Sequence, residues 1–371
     1  MRGYFNPENE REGRSRARVI YVRKGSCSHR IRLLAIFVVG LAALMHGVQA
    51  PAGEPSILDA YPGRMVSVGT HALHLDCRGS GQPVVVLESG IGGFSLEWHA
   101  VQGSLVAHTR VCAYDRAGYG WSETGPMPRT ATRSADELHA MLQAAGELPP
   151  FLLAAHSYGG FIARLFAERY PEKVRAIVLV DASAPEQFER LPPGALPRAL
   201  IAALRRGARI ISMPEPGDIF PAGRRIQGLQ LMLLPKARLA YMSEMRHFEA
   251  SARGLMHQPN AAFDMPVIVI SHARALFDAS AGGRDSERIW REMQQRMTML
   301  SIHSDHWIAA GAGHQVHTDR PDLVALALRQ AQQERSPVWI PDDESMVRLM
   351  VSVYAPITSL SAIVGDDTPR L

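Results

Sequence analysis

An apolar run that ends in a serine between bulky neighbours is the feature that most constrains this fold. Residues 151–156 read FLLAAH without a charge, as expected of a strand buried on both faces of a sheet. Residues 157–160, SYGG, break that run, and 161–170 then have helical spacing and stop at a proline. The pattern predicts a strand, a sharp turn and a helix, with Ser157 exposed where a parallel strand ends.

Short β-rich segments alternate with helical ones along much of the chain. Alternation of apolar and polar residues predicts a hairpin over 65–76. Apolar runs predict further strands at 83–89, 110–115, 174–181, 265–271 and 305–310. Helical spacing predicts two more helices, at 135–146 and 322–333. Strands and helices that alternate in this way form a mostly parallel sheet with helices on both faces. The predicted fold class is therefore α/β.

The alternation is interrupted once. Residues 185–263 are helical in pattern and rich in Met, and they follow the sixth strand. We therefore expect a helical cap over the carboxyl edge of the sheet. It would separate a first core segment, 64–184, from a second, 264–333. Residues 334–371 have no clear periodicity and receive no assignment.

Charge is concentrated at the amino terminus. Residues 1–32 carry eight Arg and one Lys against three Glu, a contribution of +6 to a total of +4, which leaves −2 for the rest. A net charge of this sign gives no support to a nucleic-acid partner for the folded part.

The basic stretch belongs to a predicted leader, 1–50. It precedes thirteen apolar residues, Leu33–Met45, which is the length of a signal-peptide core and too short for a typical membrane span. Small residues at 48–50 suit cleavage before Pro51, whereas the long basic region favours an uncleaved anchor that would associate with a membrane through 33–45. Both alternatives place the folded part outside the cytoplasm, periplasmic or extracellular.

Cysteines are few. Cys77 and Cys112 lie after the leader, each in a predicted strand, where they could pair in an oxidising compartment or remain buried thiols. No Cys/His spacing in the sequence is typical of a metal site, and no glycine-rich phosphate loop occurs. We expect neither a metal nor another cofactor.

Four motifs in order resemble those of the α/β-hydrolase superfamily, over about residues 64–333. They are the serine turn AHSYG at 155–159, with Ala155 where the family has Gly, ESGIGG at 88–93, YDRAGYGWS at 114–122, and GAGHQVHTDRP at 311–321. The similarity is greatest to the branch of simple esterases and proline-iminopeptidase-like enzymes. It implies the α/β-hydrolase fold, with 185–263 as the cap.

The resemblance also implies roles for individual residues. A serine hydroxyl needs a base to take its proton, and Ser157 would be the nucleophile with His314 as that base. His317 and His156 are the competing bases. His156 precedes the serine directly, and because neighbours on a strand point to opposite faces, it is poorly placed to reach the hydroxyl.

The acid that orients the base has two candidates. The family most often carries it after the seventh strand, where Asp278 stands late, and some members carry it after the sixth, where Asp181 ends an apolar run. Buried there, Asp181 would need a cationic partner such as an imidazolium. Asp181 is the preferred candidate, and a turn or capping role remains its alternative.

The remaining implied roles concern the backbone and the sheet. The N–H groups of Ile91 and Tyr158 would form an oxyanion hole. Asp115 and Arg116 are expected to brace a turn. In the family the strands that hold Cys77 and Cys112 are neighbours, so the resemblance would allow a disulfide.

These expectations favour an exported serine hydrolase that acts on a small-molecule ester through an acyl-enzyme, and less so on an amide or N-terminal peptide bond. A peptidase would need cap carboxylates for a free amine, but Glu186, Glu189, Glu244 and Glu249 are expected to be solvated. Dehalogenases and epoxide hydrolases need Asp where Ser157 stands. A non-catalytic ligand-binding protein on the same fold is the alternative function.

Overall fold

The computed structural model describes residues 61–195, 219–256 and 263–333. The predicted leader, including residues 33–45, the segment 334–371, and parts of the predicted cap, 196–218 and 257–262, lie outside the described residues. No helix among the residues described is long and apolar enough to cross a membrane.

Strands and longer helices alternate through the described chain. The strands are β1 Arg64–Ser67, β2 Ala72–Arg78, β3 Val84–Glu88, β4 Val111–Tyr114, β5 Phe151–His156, β6 Val174–Val180, β7 Val267–His272 and β8 Ser304–Ala309. The helices are α1 His99–Leu105, α2 Ala131–Ala145, α3 Gly159–Arg169, α4 Gln187–Arg190, α5 Arg225–Leu233, α6 Pro235–Arg246, α7 Phe248–Met256, α8 Ala281–Arg296, α9 Val316–Asp319 and α10 Pro321–Gln333. Short 3₁₀ turns join several of them.

The strands form one sheet in the order β1-β2-β4-β3-β5-β6-β7-β8. Pairing is antiparallel between β1 and β2 and between β2 and β4, and parallel from β4 to β8. The predicted α/β fold class and its mostly parallel sheet are confirmed.

Helices cover both faces because alternate residues of the central strands point to opposite sides. Leu153 and Ala155 of β5 pack on the side of α2 and α3, whereas Leu152 and Ala154 pack on the side of α1 and α10. Such burial on both faces explains why β5 reads as a continuous apolar run.

Sequence reasoning misplaced some helix limits and missed two helices that are longer than a single turn. Helix α2 begins at Ala131, ahead of the predicted 135, because the Thr130 hydroxyl caps it by accepting from the Arg133 N–H at 3.3 Å. It ends where Gly146 takes a left-handed conformation (φ 76°), as predicted. Helices α1 and α8 were not predicted.

Cys77 and Cys112 sit opposite each other in the β2–β4 register and form a disulfide, with their Cα atoms 3.9 Å apart. Of the two alternatives left open by the sequence, the structure has the bridge.

The segment between β6 and β7 is helical where it is described, and it packs over the loops at the carboxyl edge of the sheet. Phe220 lies against Phe94, with ring centroids 5.3 Å apart, and Phe248 packs edge-on against Tyr158 at 5.3 Å. A Cβ at Gly118 would lie 2.7 Å from the Cβ of Ala240 on α6. These aromatic and small residues let α6 and α7 approach the loops closely.

Candidate active site

Ser157 occupies the turn between β5 and α3 in a left-handed conformation (φ 52°), which non-glycine residues rarely adopt. Its backbone is held at both ends: its N–H donates to the Val180 carbonyl at 3.2 Å, and its carbonyl accepts from the Ser183 N–H at 2.9 Å. The close packing needs glycine after the serine, since a Cβ at Gly159 would lie 2.8 Å from the Glu88 side chain. The half-buried Ser157 side chain is thereby presented at the sheet edge.

His314 lies in the loop between β8 and α9, and its Nε2 atom accepts from the Ser157 hydroxyl at 3.1 Å. The His156 Nε2–H donates to the His314 carbonyl at 2.9 Å, and this bond helps to fix the backbone that carries the His314 ring. The side chain is 15% exposed, enough for contact with a bound molecule.

Asp181 follows β6 directly, in a second left-handed conformation (φ 44°). Its Oδ2 accepts from the Nδ1–H of His314 at 2.5 Å, and its Oδ1 accepts from the indole N–H of Trp290 at 3.1 Å. Burial alone would raise the pKa of this carboxyl, but hydrogen bonds from His272 and His314 hold it well below its usual range. Asp181 is therefore an ionised acceptor.

The other acid candidate lies elsewhere. Asp278 is exposed just before α8, where its carboxylate accepts from the backbone N–H of Ser280 at 3.0 Å. The structure thus brings Ser157, His314 and Asp181 together in a hydrogen-bonded line.

The loop after β3 runs beside the serine. A Cβ at Gly90 would lie 3.2 Å from the Cβ of Ser157, so the backbone of this loop passes close to the serine side chain. Ile91, the next residue, and Tyr158, at the start of α3, carry the two N–H groups expected to face an oxyanion. The amino-terminal end of helix α3 also favours negative charge at this point.

Comparison with known proteins agrees with this architecture. A family model described as the alpha/beta hydrolase fold matches residues 83–207. An "AB hydrolase superfamily protein" of Gibberella zeae is 28% identical over 316 residues, covering 75% of this chain and 98% of the relative. The chain therefore has the α/β-hydrolase fold.

Solved structures of this hydrolase superfamily share the fold. An esterase from Thermogutta terrifontis aligns with a TM-score of 0.51 and 21% identity over 74% of this chain and all of that one. An epoxide hydrolase from Bacillus megaterium aligns with a TM-score of 0.57 and 17% identity over 73% of this chain and all of that one. At these identities the likeness is one of fold.

Arg116 has a larger role in this hydrolase than the turn brace expected of it. Its guanidinium donates to the carbonyls of Ser89 and Gly90 at 2.7 and 2.8 Å, and so holds the loop that carries Ile91. It is buried between two carboxylates, Glu88 at 2.7 Å and Glu244 at 2.9 Å. The loop is therefore tied to the cap through one cation.

The expectation that the cap carboxylates are solvated is wrong for Glu244. Its side chain is 0% exposed and accepts from Arg116 and, at 2.8 Å, from the hydroxyl of Tyr119. The sequence offered no signal for this contact, because the two paired residues are 128 positions apart. Burial raises the pKa of the neighbouring Glu88 to about 7, despite its pairing with Arg116.

Asp115 does brace a turn. Its carboxylate accepts from the backbone N–H groups of Ser95 at 2.8 Å and Trp121 at 2.9 Å, and it pairs with His74 at 2.9 Å. These bonds fix the loops on either side of Arg116.

The competing histidines lie behind the site. His317 is buried between Trp98 and His156, with ring centroids 4.4 Å from each. Burial, with His317 and His314 nearby, lowers the pKa of His156 well below its usual value, so His156 is neutral. It is His314 that accepts the hydrogen bond from the Ser157 hydroxyl.

Sequence reasoning missed a second histidine that contacts Asp181. His272 ends β7 and its Nδ1 lies 2.7 Å from the same Asp181 oxygen that His314 contacts. Asp181, His272 and His314 also lie close enough together to ligate a metal ion, but each imidazole already forms a direct hydrogen bond with the Asp181 carboxylate.

Proposed function

We propose that this chain is a serine hydrolase that cleaves a carboxylic ester through an acyl-enzyme. The observation that carries the proposal is the continuous line from the Ser157 hydroxyl through His314 to the ionised, buried Asp181. A serine hydroxyl becomes an effective nucleophile only when a base takes its proton, and the base is effective only when a carboxylate fixes its tautomer.

The chemistry follows from these contacts. The Ser157 oxygen would form a bond to the ester carbonyl carbon while its proton passes to Nε2 of His314. The N–H groups of Ile91 and Tyr158 would stabilise the negative oxygen of the tetrahedral intermediate. The His314 proton would then go to the departing alcohol, and a water molecule activated by the same base would release the acid and free serine.

The cap supports an ester over an N-terminal peptide bond. A free amine needs an unpaired carboxylate, but Glu244 is saturated by Arg116 and Tyr119. In the described part of the cap, Glu186 lies 3.6 Å from Arg296, Glu249 pairs with Arg253, and Glu189 is exposed. None of these offers a buried, unpaired anion to a substrate.

Apolar side chains of the cap suit an ester with hydrophobic groups. The ring of Tyr241 on α6 lies 3.4 Å from the place of a Cβ on Gly92, in the loop after β3 that also carries Ile91. Phe248 and Phe188 pack together beside Tyr158. Side chains of this kind would recognise a ligand through apolar contact and few polar groups.

The proposal is tested with a fluorophosphonate probe and an ester series. The folded protein should be labelled at Ser157 and should hydrolyse short and medium acyl esters, whereas Ser157→Ala should lose labelling and at least a thousandfold in kcat. Unlabelled, folded wild-type protein would instead favour the non-catalytic binding alternative. More than a tenth of the activity in Ser157→Ala would refute the nucleophile.

We propose further that the hydrolase domain is exported by its basic and apolar leader. The leader lies outside the described residues. The Cys77–Cys112 disulfide supports the proposal, because such bonds persist in oxidising compartments.

A further inference from the structure

His272 is placed so that both of its ring nitrogens face carboxylates. Nδ1 lies 2.7 Å from Oδ2 of Asp181, and Nε2 lies 2.9 Å from Oε1 of Glu287. A neutral imidazole has one N–H and can donate to only one of two ionised acceptors. If both carboxylates are ionised, hydrogen bonds at these distances require both nitrogens to be protonated, and the ring is then a cation.

The surroundings favour that charge. His272 is 1% exposed, and burial alone would lower its pKa, but Asp181 and Glu287 overcome this effect and raise the pKa to about 10. Burial would likewise raise the pKa of Glu287, but His272 lowers it to about 2. The two partners thus keep each other ionised.

Glu287 is itself fixed in position. Its Oε2 accepts from the backbone N–H of Leu276 at 2.9 Å, and its Oε1 accepts from Nε of Arg291 at 2.9 Å. Helix α8, which carries Glu287, also supplies the indole of Trp290 to the other oxygen of Asp181. The line of hydrogen bonds from Ser157 therefore continues past Asp181 to a surface helix.

Asp181 Oδ2 is shared between two imidazoles, one of which already carries a charge. When His314 takes the serine proton, a second cation forms beside the same carboxylate. Since like charges disfavour each other, the His272 cation should make His314 harder to protonate.

Other titratable and charged groups also lie near these two rings. The neutral His156 ring lies 4.7 Å from that of His314, and Arg274, paired with Asp319, lies 3.4 Å from the place of a Cβ on Gly313. None of these groups stands between His272 and Asp181.

We propose that His272 is a cationic positioning residue, which orients Asp181 and sets the pH range in which His314 acts as a base. The inference rests on the proposed serine-hydrolase function. In the α/β-hydrolases that this sequence resembles, the acid is most often expected after β7. Here β7 ends in His272, which supports an acid that directly follows β6.

The test replaces His272 by Asn, whose amide can still donate to Asp181 but carries no charge. The acid limb of kcat/KM against pH should move to higher pH by about one unit, because His314 then takes up a proton more easily. Trp290→Phe is the matched control: it removes another hydrogen bond to Asp181 without altering charge, and should leave the acid limb in place. An unmoved limb in His272→Asn, with the variant folded, would overturn the proposal.

A second measurement needs no activity. In ¹⁵N-histidine-labelled wild-type protein, the His272 ring should show two protonated nitrogens at about pH 8, where ordinary histidines are neutral. The resonance is identified by its loss in His272→Asn or, if that variant does not fold, by its shift in Glu287→Gln. A neutral ring at this pH would overturn the inference even in an active enzyme. An inactive wild-type protein with a charged ring would count against the proposed function alone.

Discussion

At the scale of residues, the site stores backbone strain at two positions. Ser157 and Asp181 both adopt left-handed conformations, and each follows a buried parallel strand. Such positions cost about 1–3 kcal/mol each and persist when neighbouring contacts hold them. Here the Asp181 N–H donates to the Ile270 carbonyl at 2.7 Å, and Ser157 is bonded at both its N–H and its carbonyl.

Asp181→Asn should separate catalysis from folding. Asn tolerates the left-handed conformation and keeps the shape of the side chain, so the backbone should be preserved. It cannot stabilise the His314 imidazolium, and kcat should fall by about 10³–10⁴ with KM almost unchanged. Steady-state kinetics on an ester beside thermal melting measures both effects.

Asp278→Asn is the matched control, since the other acid candidate is exposed and bonded to Ser280. We expect it to cost less than tenfold in kcat. An inactive, folded Asp278→Asn beside a normally active Asp181→Asn would move the acid to the loop after β7.

At the scale of elements, one cap helix contacts the loop after β3 through Arg116. Helix α6 contributes Glu244, which holds the Arg116 guanidinium against the carbonyls of Ser89 and Gly90. The same helix places Tyr241 over Gly92. A change in the position of α6 would therefore also move the backbone N–H groups that we propose to face the developing oxyanion.

Glu244→Gln should loosen that loop. One charge of a buried pair is removed, leaving Arg116 with Glu88 alone, and the donor at Ile91 loses its fixed position. Because the loss of a whole oxyanion donor costs about 10²–10³ in kcat, a displaced donor should cost about tenfold or more, with a smaller change in KM. The measurement is kcat and KM on one ester.

Glu249→Gln on the adjacent helix α7 tests whether any cap carboxylate has the same effect. Glu249 is exposed and pairs only within its own helix, with Arg253, among the contacts described. Its replacement should leave kcat within twofold, since surface ion pairs contribute little. Equal losses in both variants would argue for a general effect on the cap.

At the scale of the whole molecule, the fold collects distant residues at one edge. Ser157, Asp181 and His272 end or directly follow the parallel strands β5, β6 and β7, and His314 lies in a loop beyond β8. The carboxyl ends of parallel strands meet at the same edge, which is where ligands bind in open α/β sheets. The described helices between β6 and β7 pack over the loops at that edge.

The export proposal is tested on the whole chain. If the leader is cleaved, intact-mass analysis of exported protein should give an amino terminus near Pro51, and the denatured, unreduced protein should show no free thiol from Cys77 or Cys112. Protein retained in the membrane fraction with residues 33–45 attached would support the anchor. A catalytic domain found in the cytoplasm with two titrating thiols would contradict export.

The sequence by itself determined the fold class and the strands of the sheet. A continuous apolar run predicts a strand buried on both faces, as in β5. A glycine such as Gly146, which permits a left-handed conformation, predicts the end of a helix. The serine turn was readable for the same reason, since small residues must follow Ser157 for strand and helix to approach. These features depend on neighbours in the chain.

Only the tertiary structure decided which distant side chains meet. Asp181 and Asp278 are both candidates by sequence, and the structure places Asp181 within hydrogen-bond distance of His314. Nothing local marks Glu244 as the partner of Arg116, or Glu287 as the partner of His272. Helix periodicity predicts which face is buried, but the partner of a buried charge depends on how the sheet, cap and α8 pack together.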